Sequence, residues 1–146
     1  RNLRLEFTDD TKEMKNSIAC DLGGYVAEEL KFGTHYPGAS DDLFHASAKA
    51  RNMVLLFGMS DVIGPISFME YDDASQTGKI NILMYGNDIA YKASCEIQKI
   101  LNDAEERAKN VLIKNKDILE QIAQELIEKH ELGEEELSLI FSRINL

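Results

Sequence analysis

The most constraining feature of this sequence is a run of apolar residues at helical spacing between residues 88 and 114. Nine apolar side chains recur every three or four positions: Ile89, Ala93, Ile97, Ile100, Leu101, Ala104, Ala108, Val111 and Leu112. This spacing places them on one side of a long α-helix, whereas a half-buried strand requires strict alternation. Such a helix must bury its apolar side against other helices, so the run predicts a mostly α fold.

The residues before this helix predict a strand and two more helices. Residues 1 to 7 alternate between apolar and polar side chains, which indicates a short strand whose partners we expect upstream. A first helix is predicted over residues 11 to 32, with N-cap candidates at residues 8 to 11. Its apolar row is Met14, Ile18, Leu22, Val26 and Leu30. Gly23 and Gly24 interrupt this row at about 1 kcal/mol each, a cost that is tolerated where another backbone packs closely.

Glycine and serine mark the limits of the next elements. Gly33 is placed to end the first helix, and Ser40 is a good N-cap for a second helix over residues 41 to 57. The apolar stripe of the second helix is Leu43, Ala46, Ala50, Met53, Val54 and Phe57. Residues 70 to 88 are polar and irregular and predict a loop, with at most a brief strand. After residue 117 two shorter helices are predicted, and they complete a C-terminal antiparallel bundle.

Composition excludes several classes of function. The net charge is −10 and the basic residues do not cluster, so a nucleic-acid surface is not expected. Cys20 and Cys95 form no motif, which favours a reducing compartment. No apolar run approaches the length of a membrane span. The chain begins with Arg1, and we expect it to be a piece of a longer protein.

Two carboxylates and three histidines are the candidate metal ligands. Asp41 and Asp42 follow Ser40, where acidic side chains are ordinary partners of a helix N-terminus. His45 lies one helical turn after Asp42 and can share its face, although an exposed histidine is the simpler interpretation. His35 precedes this helix in the loop, and the same simple interpretation applies to it.

The remaining histidine does not form a zinc motif. His130 and Glu131 begin a sequence like His-Glu-x-x-His, but the fifth position is Glu134 and the stretch crosses a predicted helix end. There is also no G-x-S-x-G, P-loop, C-x-x-C or G-x-G-x-x-G pattern. Spacing alone therefore indicates an acidic helical domain with one carboxylate of interest.

Several motifs in order resemble the peptidase domain of FtsH-type ATP-dependent zinc metalloproteases. The segment Leu22–Gly33 resembles L-G-G-R-x-A-E-E-x-x-F-G, and Gly38–Leu43 resembles G-A-[SA]-N-D-[LI]. Three shorter matches follow at Ala48–Met53, Gly58–Asp61 and Ile63–Pro65. The resemblance covers nearly the whole chain, and the order of its motifs makes it specific.

The resemblance implies a zinc site of which this chain holds one ligand. In the family, zinc is bound by two histidines of His-Glu-x-x-His and by the aspartate of G-A-S-N-D, which corresponds to Asp42. The general-base glutamate belongs to the first motif, which would precede Arg1, so no catalytic residue is expected within these 146 residues and the fragment should be inactive alone. Asp41 replaces the usual Asn, and Tyr25 stands where Arg is usual.

The resemblance also predicts the organisation of the chain and of its parent. Residues 1–146 would form one mostly α domain: a strand over 1–7, two helices with the metal-ligand loop over 11–57, a linker and loop over 58–87, and a helical bundle over 88–146. The parent would be a membrane-anchored zinc endopeptidase, a hexameric ring with ATP bound on a separate ATPase domain. This domain would face the cytoplasm or an organelle matrix or stroma, act on unfolded proteins and make no contact with membrane or nucleic acid.

Two other functions remain open at this point. The missing His-Glu-x-x-His, together with Asp41 and Tyr25, is compatible with a catalytically inactive scaffold that acts in assembly or chaperoning. A generic helical interaction domain with a fortuitous resemblance ranks last, since Gly23, Gly24 and the segment Gly38–Asp42 would each need a separate structural explanation.

Overall fold

The computed structural model describes residues 10–144 and confirms a mostly α fold. Its helices are α1 (Thr11–Asp21), α2 (Gly23–Phe32), α3 (Ser40–Leu55), α4 (Asn87–Lys114), α5 (Lys116–Lys129) and α6 (Glu134–Phe141). Strands β1 (Met69–Asp72) and β2 (Thr77–Ile80) form an antiparallel hairpin, where a loop with at most one brief strand was predicted. The strand predicted for residues 1 to 7 lies outside the described residues.

The helix predicted over residues 11 to 32 is divided at Leu22. At this residue ψ is −6°, far from the value of about −42° that continues an α-helix. The break falls just before Gly23 and Gly24, whose low helix propensity removes the local preference for continuing. Met14, Ile18, Leu22 and Val26 are nevertheless all buried, as the apolar row predicts, whereas Leu30 at the end of the row is exposed.

Polar contacts fix both ends of α1. Asp10 is the N-cap: its carboxylate accepts from the backbone N–H of Glu13 at 2.8 Å, and the Glu13 carboxylate accepts from the N–H of Asp10 at 2.9 Å. At the other end, the Lys49 ammonium of α3 donates to Asp21 Oδ2 at 2.6 Å and to Ser17 Oγ at 2.7 Å. These bonds tie α3 to the last turns of α1, immediately before the break.

Helix α4 contacts α1, α2 and α3, and the core lies between these four helices. Most of the buried side chains on α4 are alanines, which allow neighbouring helices to approach closely: Ala90, Ala93, Ala104 and Ala108. The middle of the stripe predicted for the second helix is buried on α3, whereas Leu43 is exposed. Phe57 is also exposed and lies beyond α3, which ends at Leu55 rather than at the predicted residue 57. The C-terminal part is less tightly packed, since α5 contacts α4 but none of its side chains is fully buried.

Phe68 joins the hairpin to the core. Its side chain is 0% exposed, and its ring meets the ring of Tyr85 edge to face with centroids 5.3 Å apart. Its N–H donates to the carbonyl of Leu55 at 2.9 Å, and its carbonyl accepts from the N–H of Asn81 at 2.8 Å. One residue therefore links the end of α3 to the residue that follows β2. Within residues 10–144, no helix combines the length and the apolarity that a membrane crossing needs.

An ion pair between α2 and α4 predicts how stability depends on pH. The Lys109 ammonium lies 2.8 Å from Glu29 Oε2, and this contact, with a smaller contribution from His35, holds the pKa of Glu29 below its ordinary value of 4.5. The stabilisation is therefore present above pH 4.5 and is lost as the pH falls through the lowered pKa. We expect Glu29→Gln to lower the thermal midpoint at pH 7 and to have little effect near pH 3.

The ion pair between Lys109 and Glu29 also predicts how stability changes at high pH, and Glu106 supplies a control. Glu29 and Glu105 raise the pKa of Lys109 above 10.5, so the lysine's contribution persists up to that pH and is lost above it. Glu106→Gln removes an exposed α4 carboxylate that has no ion pair within residues 10–144, and it should lower the thermal midpoint at pH 7 less than Glu29→Gln does. A constant difference between Glu29→Gln and the parent from pH 3 to pH 7 would contradict the assignment.

Candidate metal-ligand site

A short, closely held connection leads from α2 to the candidate ligand on α3. Gly33 ends α2 with φ of 66°, a left-handed conformation that glycine adopts without strain, and its N–H donates to the carbonyl of Glu29 at 2.9 Å. The connection then forms a single 3₁₀ turn over Pro37–Ala39, which runs directly into α3. Ala39, the last residue of this turn, is buried.

The predicted N-cap role of Ser40 is wrong. Ser40 has helical angles, φ −61° and ψ −39°, and is the first residue of α3. An N-cap residue usually has an extended backbone, which Ser40 cannot adopt because the 3₁₀ turn continues into the helix. Ala39 occupies the cap position instead, without a side-chain bond, so the first turn of α3 lacks a side-chain cap.

Asp42 lies in the first turn of α3 and is exposed. Its carboxylate makes no hydrogen bond or ion pair with any residue between 10 and 144. One carboxylate oxygen, Oδ2, lies over Gly24 near the start of α2, 3.2 Å from the position that a Cβ atom on Gly24 would occupy. Asp42 is therefore close to the N-termini of two helices, whose partial positive charges attract a carboxylate.

This contact gives a structural reason for one of the two glycines. From the sequence, the Gly23-Gly24 pair would be tolerated if another backbone packed closely there. The structure places the Asp42 side chain at Gly24, and it leaves open space where a Cβ atom on Gly23 would be. The close approach is thus between a side chain and a backbone, and it concerns the second glycine only.

We expect alanine at these two positions to have different local effects. Gly24→Ala should displace the Asp42 carboxylate by a few tenths of an ångström, because a Cβ contact of 3.2 Å is tighter than ordinary van der Waals contact. Gly23→Ala should leave the carboxylate in place. Both changes should raise the free energy of unfolding by about 0.5–1 kcal/mol through helix propensity. The ¹³C shift of the Asp42 carboxyl group measures the displacement, and equal shifts in both variants would contradict it.

The histidines do not gather around Asp42 as a ligand set. His45 is half-buried one turn after Asp42, and its Nδ1 is inaccessible and has no hydrogen-bond partner within residues 10–144. The His35 ring stacks on Tyr25. His130 has φ of 63° and ends α5, which confirms that the His130 segment crosses a helix end. Asp41 is a second exposed carboxylate in the first turn of α3.

Three contacts that the sequence did not indicate hold the connection to α2. The rings of Tyr25 and His35 are stacked, with centroids 3.8 Å apart and planes 3° from parallel. The N–H of Tyr36 donates to Glu28 Oε2 at 3.1 Å, and its ring meets Phe32 edge to face with centroids 5.8 Å apart. These pairs cross a helix end, where neither helical nor strand periodicity relates one residue to another, so no sequence signal identified them.

A groove elsewhere on the described part of the chain offers no metal ligands. It has a volume of about 390 Å³ and lies between α3, α4 and β2. Its lining consists of Arg51, Ile80, Ile82, Ser94, Ile97, Gln98 and Leu101. None of these seven side chains is a carboxylate or an imidazole, so Asp42 remains the better candidate for chemistry.

The donor chemistry fits zinc at one coordination position. Zinc binds carboxylate oxygen, and an exposed carboxylate without protein partners is free to coordinate. Within residues 10–144 no three His, Cys, Asp or Glu side chains are grouped so that they could hold a metal ion. Asp42 therefore fits the role of a single ligand, and the others would have to come from outside the described residues.

Comparison with known proteins gives a consistent result. Residues 5–140 match Peptidase family M41. The chain is 40% identical over 132 residues to the ATP-dependent zinc metalloprotease FtsH of Bacillus subtilis, which covers 86% of this chain and 20% of the relative. It is 37% identical over 140 residues to FtsH 4 of Sorangium cellulosum, with 94% and 21% covered.

A third relative agrees with the first two. The chain is 35% identical over 142 residues to the ATP-dependent zinc metalloprotease FtsH 3 of Synechocystis, covering 90% of the chain and 22% of the relative. The chain thus spans about a fifth of the length of these relatives. A fortuitous resemblance is excluded by a match of this extent. With its helical fold and the residues matched from 5 to 140, the chain belongs to Peptidase family M41, the peptidase domain of FtsH-type ATP-dependent zinc metalloproteases.

Proposed function

We propose that this chain acts within a longer ATP-dependent zinc endopeptidase and that Asp42 is its third protein ligand to zinc. The observation that carries the proposal is the state of the Asp42 carboxylate, which is exposed at the start of α3 and has no bonding partner within residues 10–144. Acidic side chains in a first helical turn interact favourably with the helix N-terminus, and the Asp42 carboxylate also lies over Gly24 near the start of α2. The relatives that are 35 to 40% identical are named ATP-dependent zinc metalloproteases, and these names indicate the metal and the class of reaction.

The chain's own residues contribute position and charge. Asp42 would bind the metal together with two histidines of a His-Glu-x-x-His motif elsewhere in the full-length protein, which leaves the fourth position of a tetrahedral site for water. Bound zinc supplies Lewis acidity and lowers the pKa of that water. Gly24 leaves room for the carboxylate at the N-terminus of α2, and Ala39 in the turn before α3 is buried.

Further properties of the parent belong to the same proposal. We expect unfolded proteins as substrates, ATP on a separate domain, a homo-oligomeric ring, here a hexamer, and a membrane anchor outside this domain. The domain itself would face the cytoplasm or an organelle matrix or stroma. The support for these points is family membership and the names of the relatives. The net charge of −10 supports the expectation that nucleic acid is not a partner.

A catalytically inactive scaffold is the second candidate. Two observations favour it: Asp41 stands beside Asp42 in place of the usual Asn, and Tyr25 replaces the usual Arg. An inactive relative would keep the helical core and lose the upstream motif. The coding sequence upstream of Arg1 separates the two candidates, because an intact His-Glu-x-x-His there excludes the scaffold.

Zinc content tests the proposal directly. The full-length protein, purified and dialysed against buffer without chelator, should contain about one zinc per chain when measured by inductively coupled plasma mass spectrometry, because three protein ligands and one water complete a catalytic zinc site. It should also degrade an unfolded protein such as casein only when ATP is present. Full-length protein that retains no zinc and shows no proteolysis would overturn the proposal in favour of the scaffold.

A further inference from the structure

We propose that Tyr25 and His35 are positioning residues that set the location of Asp42, by stacking the connection between α2 and α3 onto α2. The inference rests on the proposed role of Asp42 as a zinc ligand. In this role neither ring binds the metal or takes part in the reaction. Their task would be to reduce the number of positions that the carboxylate can occupy before metal binds.

The stack is the tightest aromatic contact described in the structure. Its ring centroids are 3.8 Å apart and the planes differ by 3°, whereas the other described aromatic pairs are edge to face at 5.3 Å or more. Tyr25 is half-buried on α2 and packs against the core, and His35 is exposed in the connection. A rigid residue on a helix thus holds a residue that has no regular secondary structure of its own.

The neighbouring residue is held to the same helix. The N–H of Tyr36 donates to Glu28 Oε2, and the Tyr36 ring meets Phe32. Two consecutive residues of the connection are therefore attached to α2. From Tyr36 onward, hydrogen-bonded structure continues into α3. The N–H of Ala39 donates to the carbonyl of Tyr36 at 3.3 Å, and the 3₁₀ turn runs directly into the helix.

The same helix also meets the carboxylate itself. Gly24, which lies directly before Tyr25, is the residue over which Asp42 Oδ2 lies. Helix α2 is thus in contact with the chain at His35, at Tyr36 and at Asp42. Only the 3₁₀ turn and the first turn of α3 separate His35 and Tyr36 from Asp42. A shift at His35 therefore moves the first turn of α3 relative to α2. Residues that orient a metal ligand typically change metal affinity when they are removed.

The test uses the full-length protein with four variants of the stacked pair and one control variant elsewhere. Tyr25→Leu and His35→Leu each replace one of the two stacked rings by an aliphatic side chain. The double variant replaces both rings. Tyr25→Phe keeps the stacking ring, and the Tyr25 hydroxyl makes no hydrogen bond within residues 10–144. Tyr91→Leu is the matched control, since Tyr91 is an exposed tyrosine on α4 that takes no part in the described aromatic pairs.

Zinc affinity, measured by competition with a chromophoric chelator, is the first readout. We expect Tyr25→Leu and His35→Leu each to weaken zinc binding by about 10- to 100-fold, the usual cost of losing a residue that orients a ligand. The double variant should be about as weak as the more affected single variant, because both changes break one contact. Tyr25→Phe and Tyr91→Leu should bind zinc as the parent does.

Hydrogen exchange of the amides of residues 35 to 42, without metal, is the second readout. These amides should exchange faster in both leucine variants and at the parent rate in Tyr25→Phe. If Tyr25→Leu disturbs the core, His35→Leu still decides the question, because His35 is exposed. Parent-like exchange and zinc affinity in His35→Leu would overturn the inference.

The two proposals fail in different ways. If Asp42→Ala abolishes zinc binding while the leucine variants bind normally, only the positioning inference is wrong. If Asp42→Ala binds zinc normally, the ligand assignment is wrong and the positioning inference falls with it. Equal loss of zinc affinity in Tyr91→Leu would show a general effect of removing surface tyrosines, and that result would also overturn the inference.

Discussion

Replacing Asp42 with alanine should abolish zinc binding and proteolysis by the full-length protein while leaving its fold intact. Loss of one of three protein ligands should weaken zinc binding by more than the 10- to 100-fold that a residue behind a ligand typically costs, so we expect at least about 100-fold. Casein degradation should fall to background, since the chemistry depends on bound zinc. Zinc content and ATP-dependent proteolysis measure the two effects.

Asp41→Ala is the matched control for this experiment. Asp41 and Asp42 are adjacent, exposed carboxylates in the first turn of α3, so each variant loses a charge that interacts favourably with the helix N-terminus, worth about 0.3–1 kcal/mol. Only Asp42 lies over Gly24. Asp41→Ala should therefore retain zinc and activity. Equal activity of the two variants would contradict the ligand assignment.

Replacing Phe68 with alanine should be the most destabilising of the changes considered for the fold. The ring is fully buried between the helical core and Tyr85, and removing a buried Phe side chain typically costs about 3–5 kcal/mol. At about 2–4 °C per kcal/mol for a domain of this size, the thermal midpoint of the domain should fall by about 6–20 °C. Circular dichroism at 222 nm follows the loss of the helices.

Phe44 supplies the control for the loss of a phenylalanine ring. Its side chain is 66% exposed on α3, so Phe44→Ala should change the free energy of unfolding by no more than about 0.5 kcal/mol. Hydrogen exchange adds a local test, because Phe68 accepts from the N–H of Asn81 and donates to Leu55. In Phe68→Ala the hairpin amides should exchange faster than the α1 amides. A thermal midpoint equal to that of Phe44→Ala would contradict the role of Phe68 as the link between hairpin and core.

Apolar periodicity in the sequence predicted the helices that bury one side over several consecutive turns. The long helix was predicted from residue 88 to 114 and is observed over Asn87–Lys114, because its stripe repeats over many turns and a few ambiguous residues cannot change the pattern. The apolar row through Met14, Ile18 and Val26 is buried as predicted, even though the helix is divided. The separation of α4 from α5 around residue 115 was also predicted correctly.

Periodicity was insufficient where contacts depend on neighbours distant in sequence. The break at Leu22 follows from two glycines that had been interpreted as tolerable within one helix. Leu30 and Leu43 belong to apolar rows and are nevertheless exposed, because a row shows which side of a helix is apolar and not how far the neighbouring helix extends. The hairpin was missed because its short strands are largely exposed and carry no clear alternation.

The ordered motifs in the sequence identified the family and selected Asp42 from 26 acidic residues. They did so because each motif constrains residue type and spacing together, and their combination excludes chance. Tertiary structure alone decided what surrounds that carboxylate: Gly24 beneath it, and the Tyr25–His35 stack that holds the preceding connection. These contacts join residues across a helix end and a turn. Their geometry depends on how α2 and α3 pack together, which no local pattern in the sequence encodes.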